Sequence, residues 1–227
     1  MSFILLSQAD RSRFEPVCFV ATDMDGTLTV NGKFTPALLQ MLEKLACVGI
    51  QVVIVTGRSA GWVSGLVHYL PIAGAIAENG GIFFPRCSQS ECWLVPVKNV
   101  GTHRQQLAQM FNVLKTEFPK IQESTDNPYR LTDWTFDVHG LTTEDIEKIS
   151  DRCQEKGWSI TYSTVQVHIK LPQQTKAMGL MQVLEQHFPG LPLTNVITVG
   201  DSPNDESLFN SDWFPLSVGV ANVQEYR

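Results

Sequence analysis

A chain of 227 residues, 43% hydrophobic and 18% charged, can bury a full core, which excludes a disordered or fibrous protein. Seventeen basic residues against 23 acidic ones leave a net charge of −6, and no Lys/Arg cluster supplies the footprint of a nucleic-acid binder. Five scattered cysteines (Cys18, Cys47, Cys87, Cys92, Cys153) are expected to be free thiols in a reducing cytoplasm, the Cys87/Cys92 pair being a poor zinc signal.

At the N-terminus, Phe3-Ile4-Leu5-Leu6 has no basic segment before it and is too short for a signal peptide, and no other stretch is long enough to span a membrane. Val17 to Thr22 is an apolar run cut off by acidic residues and Gly26, as a buried parallel strand should be. Thr35-Pro36 opens a helix striped by Leu38, Leu42 and Leu45 and closed by Gly49, and a second strand runs from Ile50 to Val55. Ser59 is placed to cap a helix with Trp62, Val63, Leu66 and Leu70 on one face. A third strand, Ala75-Ile76-Ala77, follows Pro71. Alternation of this kind predicts right-handed crossovers and a doubly wound parallel sheet, a Rossmann-like α/β core.

The pattern changes near Phe84, where a Pro/Cys/Ser-rich turn region leads into a helix over 102–118 striped by Leu107, Met110, Phe111, Leu114 and Phe118. Residues 130–138 alternate, with Trp134, Phe136 and Val138 opposite Asp133, Thr135 and Asp137. Residues 165–170 alternate likewise, with Val165, Val167 and Ile169 opposite Gln166, His168 and Lys170. Between them a helix over 143–156 turns Ile146, Ile149 and Cys153 inward and stops at Gly157. The first pattern then returns as a helix over 175–187, a strand Val196 to Val199 and a Gly-Asp turn. The expected division is a core of residues 1–83 and 169–227 carrying an inserted α/β cap of residues 84–168, a sheet with helices on one face and a polar face open.

Four polar groups fall just past the carboxyl ends of predicted strands, where open parallel sheets bind ligands: Asp23/Asp25, Thr56-Gly57-Arg58, Glu78-Asn79-Gly80, and Asp201 to Asp205. Asp23 and Asp25, two apart in an extended segment, should point into one crevice, where a cation or a shared proton must relieve their repulsion. A hard cation such as Mg²⁺ suits an all-oxygen site, and Lys176 can add a compensating charge. Thr56 with the Gly57 amide suits phosphate oxygens, and Gly26 permits close backbone approach. Glu78-Asn79-Gly80-Gly81 is accounted for by a hairpin turn into Ile82-Phe83-Phe84, and the cap's polar strand face either roofs the crevice or meets water.

Asp23-x-Asp25-Gly26-Thr27, Thr56-Gly57-Arg58, Lys176, and Gly200-Asp201-Ser202-Pro203-Asn204-Asp205, in that order, resemble the four motifs of the haloacid dehalogenase superfamily of aspartyl-phosphate enzymes. The place of the insertion, between the second and third motifs, resembles the branch containing sucrose-phosphate-phosphatase-like and other sugar-phosphate phosphatases. The chain departs from that branch at Ala177, where glycine often follows the lysine, and at Gly26, where sucrose-phosphate phosphatases usually have Asn. Family chains commonly continue past the segment equivalent to Val218–Asn222, so the end at Arg227 is expected to be a truncation.

The resemblance implies that Asp23 attacks phosphorus while Asp25 protonates the leaving oxygen and then activates water. It implies that Thr56, Gly57, Arg58 and Lys176 hold the phosphoryl group, with Asn204, and that Asp23, the Asp25 carbonyl, Asp201 and Asp205 form the Mg²⁺ site. His168 and Lys170 are candidate contacts to the leaving group. The implied protein is a cytoplasmic phosphatase, a monomer or small homo-oligomer, whose partner is a small phosphorylated metabolite rather than nucleic acid or membrane. A phosphomutase sharing the Asp-x-Asp-Gly-Thr start and a non-catalytic binder of phosphorylated metabolites are the alternatives.

Overall fold

The computed structural model describes residues 4–88 and 90–226, without the side chains of residues 224–226. Phe3 of the N-terminal apolar run and Arg227 lie outside the described residues. Among those described, no helix is long and apolar enough to cross a membrane, and the five cysteines are free thiols.

Among the described residues, ten strands form two sheets that pack against five α-helices. The first has the order β10-β9-β1-β2-β3-β4-β5, with β1 at Phe19–Thr22, β2 at Gln51–Val55, β3 at Gly74–Ala77, β4 at Ile82–Pro85, β5 at Cys92–Trp93, β9 at Val196–Gly200 and β10 at Ser217–Gly219. Pairing is parallel from β10 to β3 and antiparallel through β4 and β5. Alternate strand residues serve opposite layers. Phe19, Ala21, Val53, Val55 and Ile76 meet Ala177, Leu180, Val183 and Leu184 of α5 (Lys176–His187) on one face. Val52, Ile54, Ala75 and Ala77 meet α1 (Pro36–Cys47) and α2 (Ala60–Tyr69) on the other. A strand buried on both faces must be apolar at every position, which explains its unbroken hydrophobic run.

α1 starts as expected, the Thr35 side chain accepting from the Leu38 amide and Pro36 occupying the first turn. α2 does not. Ser59 makes no side-chain cap; the Glu78 carboxylate accepts from the Ala60 amide at 2.8 Å instead. Of the expected face of α2, Val63 and Leu70 are buried and Leu66 packs against the core, joined by Ala60 and Val67, whereas Trp62 lies 45% exposed.

The second sheet has the order β6-β8-β7, fully antiparallel, from β6 at Trp134–Asp137, β7 at Ser159–Tyr162 and β8 at Gln166–Lys170. Its apolar face packs Phe136, Val167 and Ile169 against α3 (Val100–Glu117) and α4 (Thr143–Glu155). Asn99 caps α3, which starts at Val100, two residues earlier than expected, and a Thr142/Asp145 capping box begins α4.

The strand pairing displaces the expected seams of the insertion. β4 and β5 continue the seven-stranded sheet to Trp93, so residues 84–93 belong with the core, and β8 keeps Ile169 and Lys170 in the smaller sheet. A two-residue strand leaves too short a pattern to be read from sequence. The polar face of the smaller sheet is not open to water: Asp133, Thr135, His168 and Lys170 are buried, and only Asp137 at its rim is exposed.

Candidate active site

Register places the chemistry. Thr22 is level with Val199, so the chain leaving β1 and the chain leaving β9 deliver Asp23 and Asp201 to the same edge of the sheet, and the Asp23 amide still donates to the Val199 carbonyl at 2.9 Å. Lys176 opens α5, whose N-cap Thr175 accepts from the Met178 amide. Its Nζ donates to Asp23 Oδ1 and to Asp205 Oδ1, each at 2.6 Å, and all three residues are buried. Asp205 Oδ2 accepts from the amides of Asp201 and Ser202 at 3.0 and 3.1 Å, which shapes the loop entering the 3-10 turn Pro203–Phe209. The Asp201 oxygens accept from Thr27 Oγ1 at 3.2 Å and Asn222 Nδ2 at 3.1 Å.

Three carboxylates (Asp23, Asp201, Asp205) lie with oxygens within 4.8 Å of one another and face one ammonium. Burial pushes the Asp23 carboxyl up to about 7 against the pull of Lys176, with Asp205 and Asp201 adding to the rise. Burial likewise raises Asp201. Lys176 is disfavoured by burial, but Asp205 and Asp23 outweigh this and hold the ammonium above its ordinary range. One atom is orphaned: Asp23 Oδ2 is buried without a hydrogen-bond partner. An uncompensated buried oxygen beside two further carboxylates fits a hard cation with oxygen ligands. Asp23 and Asp201 would hold it, since both Asp205 oxygens already accept from Lys176 and the loop amides.

Asp25 shares a crevice with Asp23, as expected, but not through an extended segment. The turn carrying Gly26 at φ +87° begins at Asp25, so the segment is not extended, and the two carboxylates part. Asp23 turns inward to Lys176. Asp25, half-buried, takes both arms of Arg58, with Nη2 at 2.7 Å and Nε at 2.9 Å. Arg58 is thus committed to Asp25 and stacks 5.6 Å over Trp62, which leaves its planar fork unavailable as a separate phosphate clamp. Both carboxylates nevertheless line one cavity of about 670 Å³ with Thr56, Gly57, Arg58, Asp201 and Asn204.

His168 and Gln166 form part of the cavity's opposite wall. Lys170 does not. Two residues further along the same strand face, roughly 7 Å away, it is buried beneath the wall, where burial pushes it down to about 8 against the pull of Asp133. The structure therefore brings Asp23, Asp25, Thr56, Gly57, Arg58, His168, Asp201 and Asn204 to one crevice, with Lys176 and Asp205 behind it.

Some groups buried behind the crevice carry no motif. The Glu78-Asn79-Gly80 turn is a hairpin, with φ of +52°, +54° and +100°. It is also a junction: the Glu78 carboxylate accepts from the amides of Ala60, Leu131 and Thr132 and from Thr132 Oγ1, the last two at 2.6 Å. Asn79 Oδ1 accepts from Asn204 Nδ2 at 3.1 Å. Gly80 is required, because a Cβ there would collide with the Thr175 carbonyl. Left-handed φ at two non-glycine residues was the available signal, but it is a property of coordinates. Arg130, wholly buried, donates to the Gly57 carbonyl at 3.0 Å and to both oxygens of Asp133, joining the smaller sheet to the Thr56-Gly57-Arg58 turn.

A family model for haloacid dehalogenase-like hydrolases matches residues 20–93 and 86–226. The chain is 30% identical over 207 residues to "Phosphoglycolate phosphatase 1" of Saccharolobus solfataricus, spanning 89% of this chain and 83% of that one. Among solved structures it superimposes on a Thermoplasma acidophilum protein with a TM-score of 0.73 at 22% identity, covering 91% of this chain and 85% of the other. It also superimposes on the trehalose-6-phosphate phosphatase C-terminal domain of C. albicans with a TM-score of 0.68 at 15% identity, covering 88% and 75%.

Proposed function

The chain belongs to the haloacid dehalogenase-like hydrolase family as a phosphoric monoester hydrolase, and we propose that it is a Mg²⁺-dependent phosphatase of small sugar phosphates that works through a phospho-aspartate on Asp23. The observation that carries this reading is the buried, unpartnered Asp23 Oδ2 held beside Lys176 at the sheet edge. A carboxylate kept there serves as nucleophile, because its free lone pair faces the crevice while Lys176 fixes the other oxygen.

In this scheme Asp23 forms the new bond to phosphorus as the bond to the leaving oxygen breaks, and Asp25 gives that oxygen its proton. Water then attacks the phospho-aspartate, Asp25 takes the proton from it, and the bond from Asp23 to phosphorus breaks. Arg58 keeps Asp25 in reach of the leaving oxygen. Thr56 and the Gly57 amide cradle the phosphoryl oxygens. Asp23 and Asp201 would hold Mg²⁺, whose positive charge would let an anionic ester approach three carboxylates. Asp205 positions Lys176 and the loop amides, and the smaller sheet, residues 94–170 in this reading, forms the cap over the leaving group.

Support for a sugar phosphate comes from a cavity of about 670 Å³ whose far wall is made of Ser163, Thr164, Gln166 and His168. The relative named as a phosphoglycolate phosphatase supports a smaller, carboxylated leaving group as the second reading. The test is phosphate release from a panel of sugar phosphates, 2-phosphoglycolate and 4-nitrophenyl phosphate, with Mg²⁺ and with excess chelator. Release is expected with Mg²⁺ alone, and Asp23→Asn should lower it at least about 1,000-fold. Full activity in Asp23→Asn would sink the nucleophile, and product isomerisation without phosphate release would favour a mutase.

A further inference from the structure

Asp133 and His168 take no part in the phosphoryl chemistry above, yet their one unpartnered atom borders the crevice. Asp133 is completely buried; both its oxygens accept from Arg130 Nη1 at 3.0 Å, and Oδ2 meets His168 Nδ1 at 2.8 Å. Burial disfavours the Asp133 carboxylate, but Arg130 and His168 outweigh it and hold the group ionised, below its ordinary range. An ionised carboxylate can only accept, so Nδ1 carries the ring proton. Burial also lowers the affinity of His168 for a second proton, against the pull of Asp133, and the neutral ring keeps a lone pair on Nε2.

Geometry sets that lone pair beside the phosphoryl site. His168 is buried but lines the cavity, and among the described residues Nε2 has no hydrogen-bond partner. A Cβ built on Gly57 would lie 3.2 Å from His168 Cε1, so the ring edge rests over the residue next to Thr56. Arg130 fixes the spacing, because the same Nη1 that holds Asp133 also donates to the Gly57 carbonyl. The surrounding wall, Asn31, Ser163, Thr164 and Gln166, is polar and uncharged. Among the described lining residues the one cation is Arg58, already paired with Asp25 through two bonds.

We propose that Asp133 fixes His168 as a hydrogen-bond acceptor for a leaving-group hydroxyl close to the scissile oxygen, so that the crevice selects phosphates of polyhydroxylated alcohols over those of carboxylic acids. The inference rests on the phosphatase reading and makes it specific. A donor hydroxyl satisfies the lone pair, an alkyl group leaves it desolvated and unmet, and a carboxylate brings a second acceptor to a wall with no free cationic side chain to receive it.

The experiment compares kcat/KM for glycerol 3-phosphate, propyl phosphate and 2-phosphoglycolate at saturating Mg²⁺, in the wild-type protein and in His168→Leu. Wild type should prefer glycerol 3-phosphate to propyl phosphate by about tenfold or more, and to 2-phosphoglycolate as well. His168→Leu should bring the glycerol-to-propyl ratio to about one. The ¹⁵N spectrum of the imidazole in the intact wild-type protein should show Nε2 unprotonated, a readout independent of any variant. A wild-type ratio near one, preference for 2-phosphoglycolate, an unaltered ratio in His168→Leu, or a protonated Nε2 would each overturn the inference while leaving the phosphatase standing. Absence of release from every ester, 4-nitrophenyl phosphate included, would overturn the phosphatase reading and this inference with it.

Discussion

The two buried polar clusters of this protein are built on opposite accounts of charge. At the edge of the large sheet, Asp23, Asp201 and Asp205 face Lys176 alone, and one carboxylate oxygen has no partner. Across the crevice, Asp133 is matched to Arg130 and His168, Glu78 is filled by backbone and hydroxyl donors, and Arg130 reaches the Gly57 carbonyl as well. Arg104 adds a contact to the Asp133 carbonyl and lies 4.2 Å over the Trp134 ring. The first cluster leaves a carboxylate oxygen unmet and calls for a cation; the second meets every oxygen of Asp133 and Glu78, its unpartnered atoms being Arg130 Nε and Gln174 Oε1, and holds a shape. Burial is the same in both, so what separates a reactive site from a structural one is the balance of donors and acceptors within it.

That contrast should break hardest at Lys176. Lys176→Met strands Asp23 and Asp205 in the interior, and a loss of about 3–5 kcal/mol is expected on denaturant unfolding. Mg²⁺ should raise the thermal midpoint of this variant more than that of wild type; a midpoint within 1–2 °C of wild type would show that the cluster's charges are relieved some other way.

Glu78→Gln probes the closed cluster. The amide would turn NH₂ toward the donors of Ala60, Leu131 or Thr132, at a cost of about 1–3 kcal/mol. Hydrogen exchange at Leu131 and Thr132 should quicken while exchange in β1 and β2 holds. Uniform quickening throughout would mean that the junction supports the whole fold and not the seam.

The smallest effect concerns acid. His168 and Asp133 both sit below their ordinary values, His168 because burial outweighs Asp133, and Asp133 because Arg130 and His168 outweigh burial. A depressed folded value means stability that is present above the unfolded value and lost as pH falls through the folded one. The His168 share is therefore lost below about 6.5 and the Asp133 share below about 3.8. Between pH 7 and 5 the thermal midpoint of wild type should fall a few °C further than that of His168→Leu, and parallel curves would remove His168 from the linkage.

Much of the fold is legible in the chain because burial on both faces or on one leaves a periodic trace. β1, β2 and β9 are short, mainly apolar runs interrupted only by Thr22, Gln51 and Thr198 before the glycine that ends β9, and α1, α4 and α5 carry their stripes with caps at Thr35, Thr142 and Thr175. β5 and β10, two and three half-buried residues long, leave no such trace, and β7 alternates Ser159 and Thr161 with Ile160 and Tyr162 over only four residues, too few to be read with any specificity. α2 was readable as a helix and in most of its facing, Trp62 excepted, but not in its cap, which comes from Glu78, eighteen residues past the amide it accepts from.

The strand-end groups could be named from spacing, because a strand end followed by Asp, Thr-Gly or Gly-Asp is a local pattern and a parallel sheet brings its carboxyl ends together whatever the distance between them in sequence, while Lys176 as a motif residue at a helix start and the roles of all of them came from the resemblance. Which oxygen of Asp23 is left free, that Arg58 serves Asp25, that Lys170 lies beneath the wall and His168 upon it, and that a hairpin turn holds the smaller sheet in place are decided only by tertiary structure. The physical reason is that each depends on a partner more than fifteen residues away, and a sequence records what a residue can donate or accept but not which group it meets.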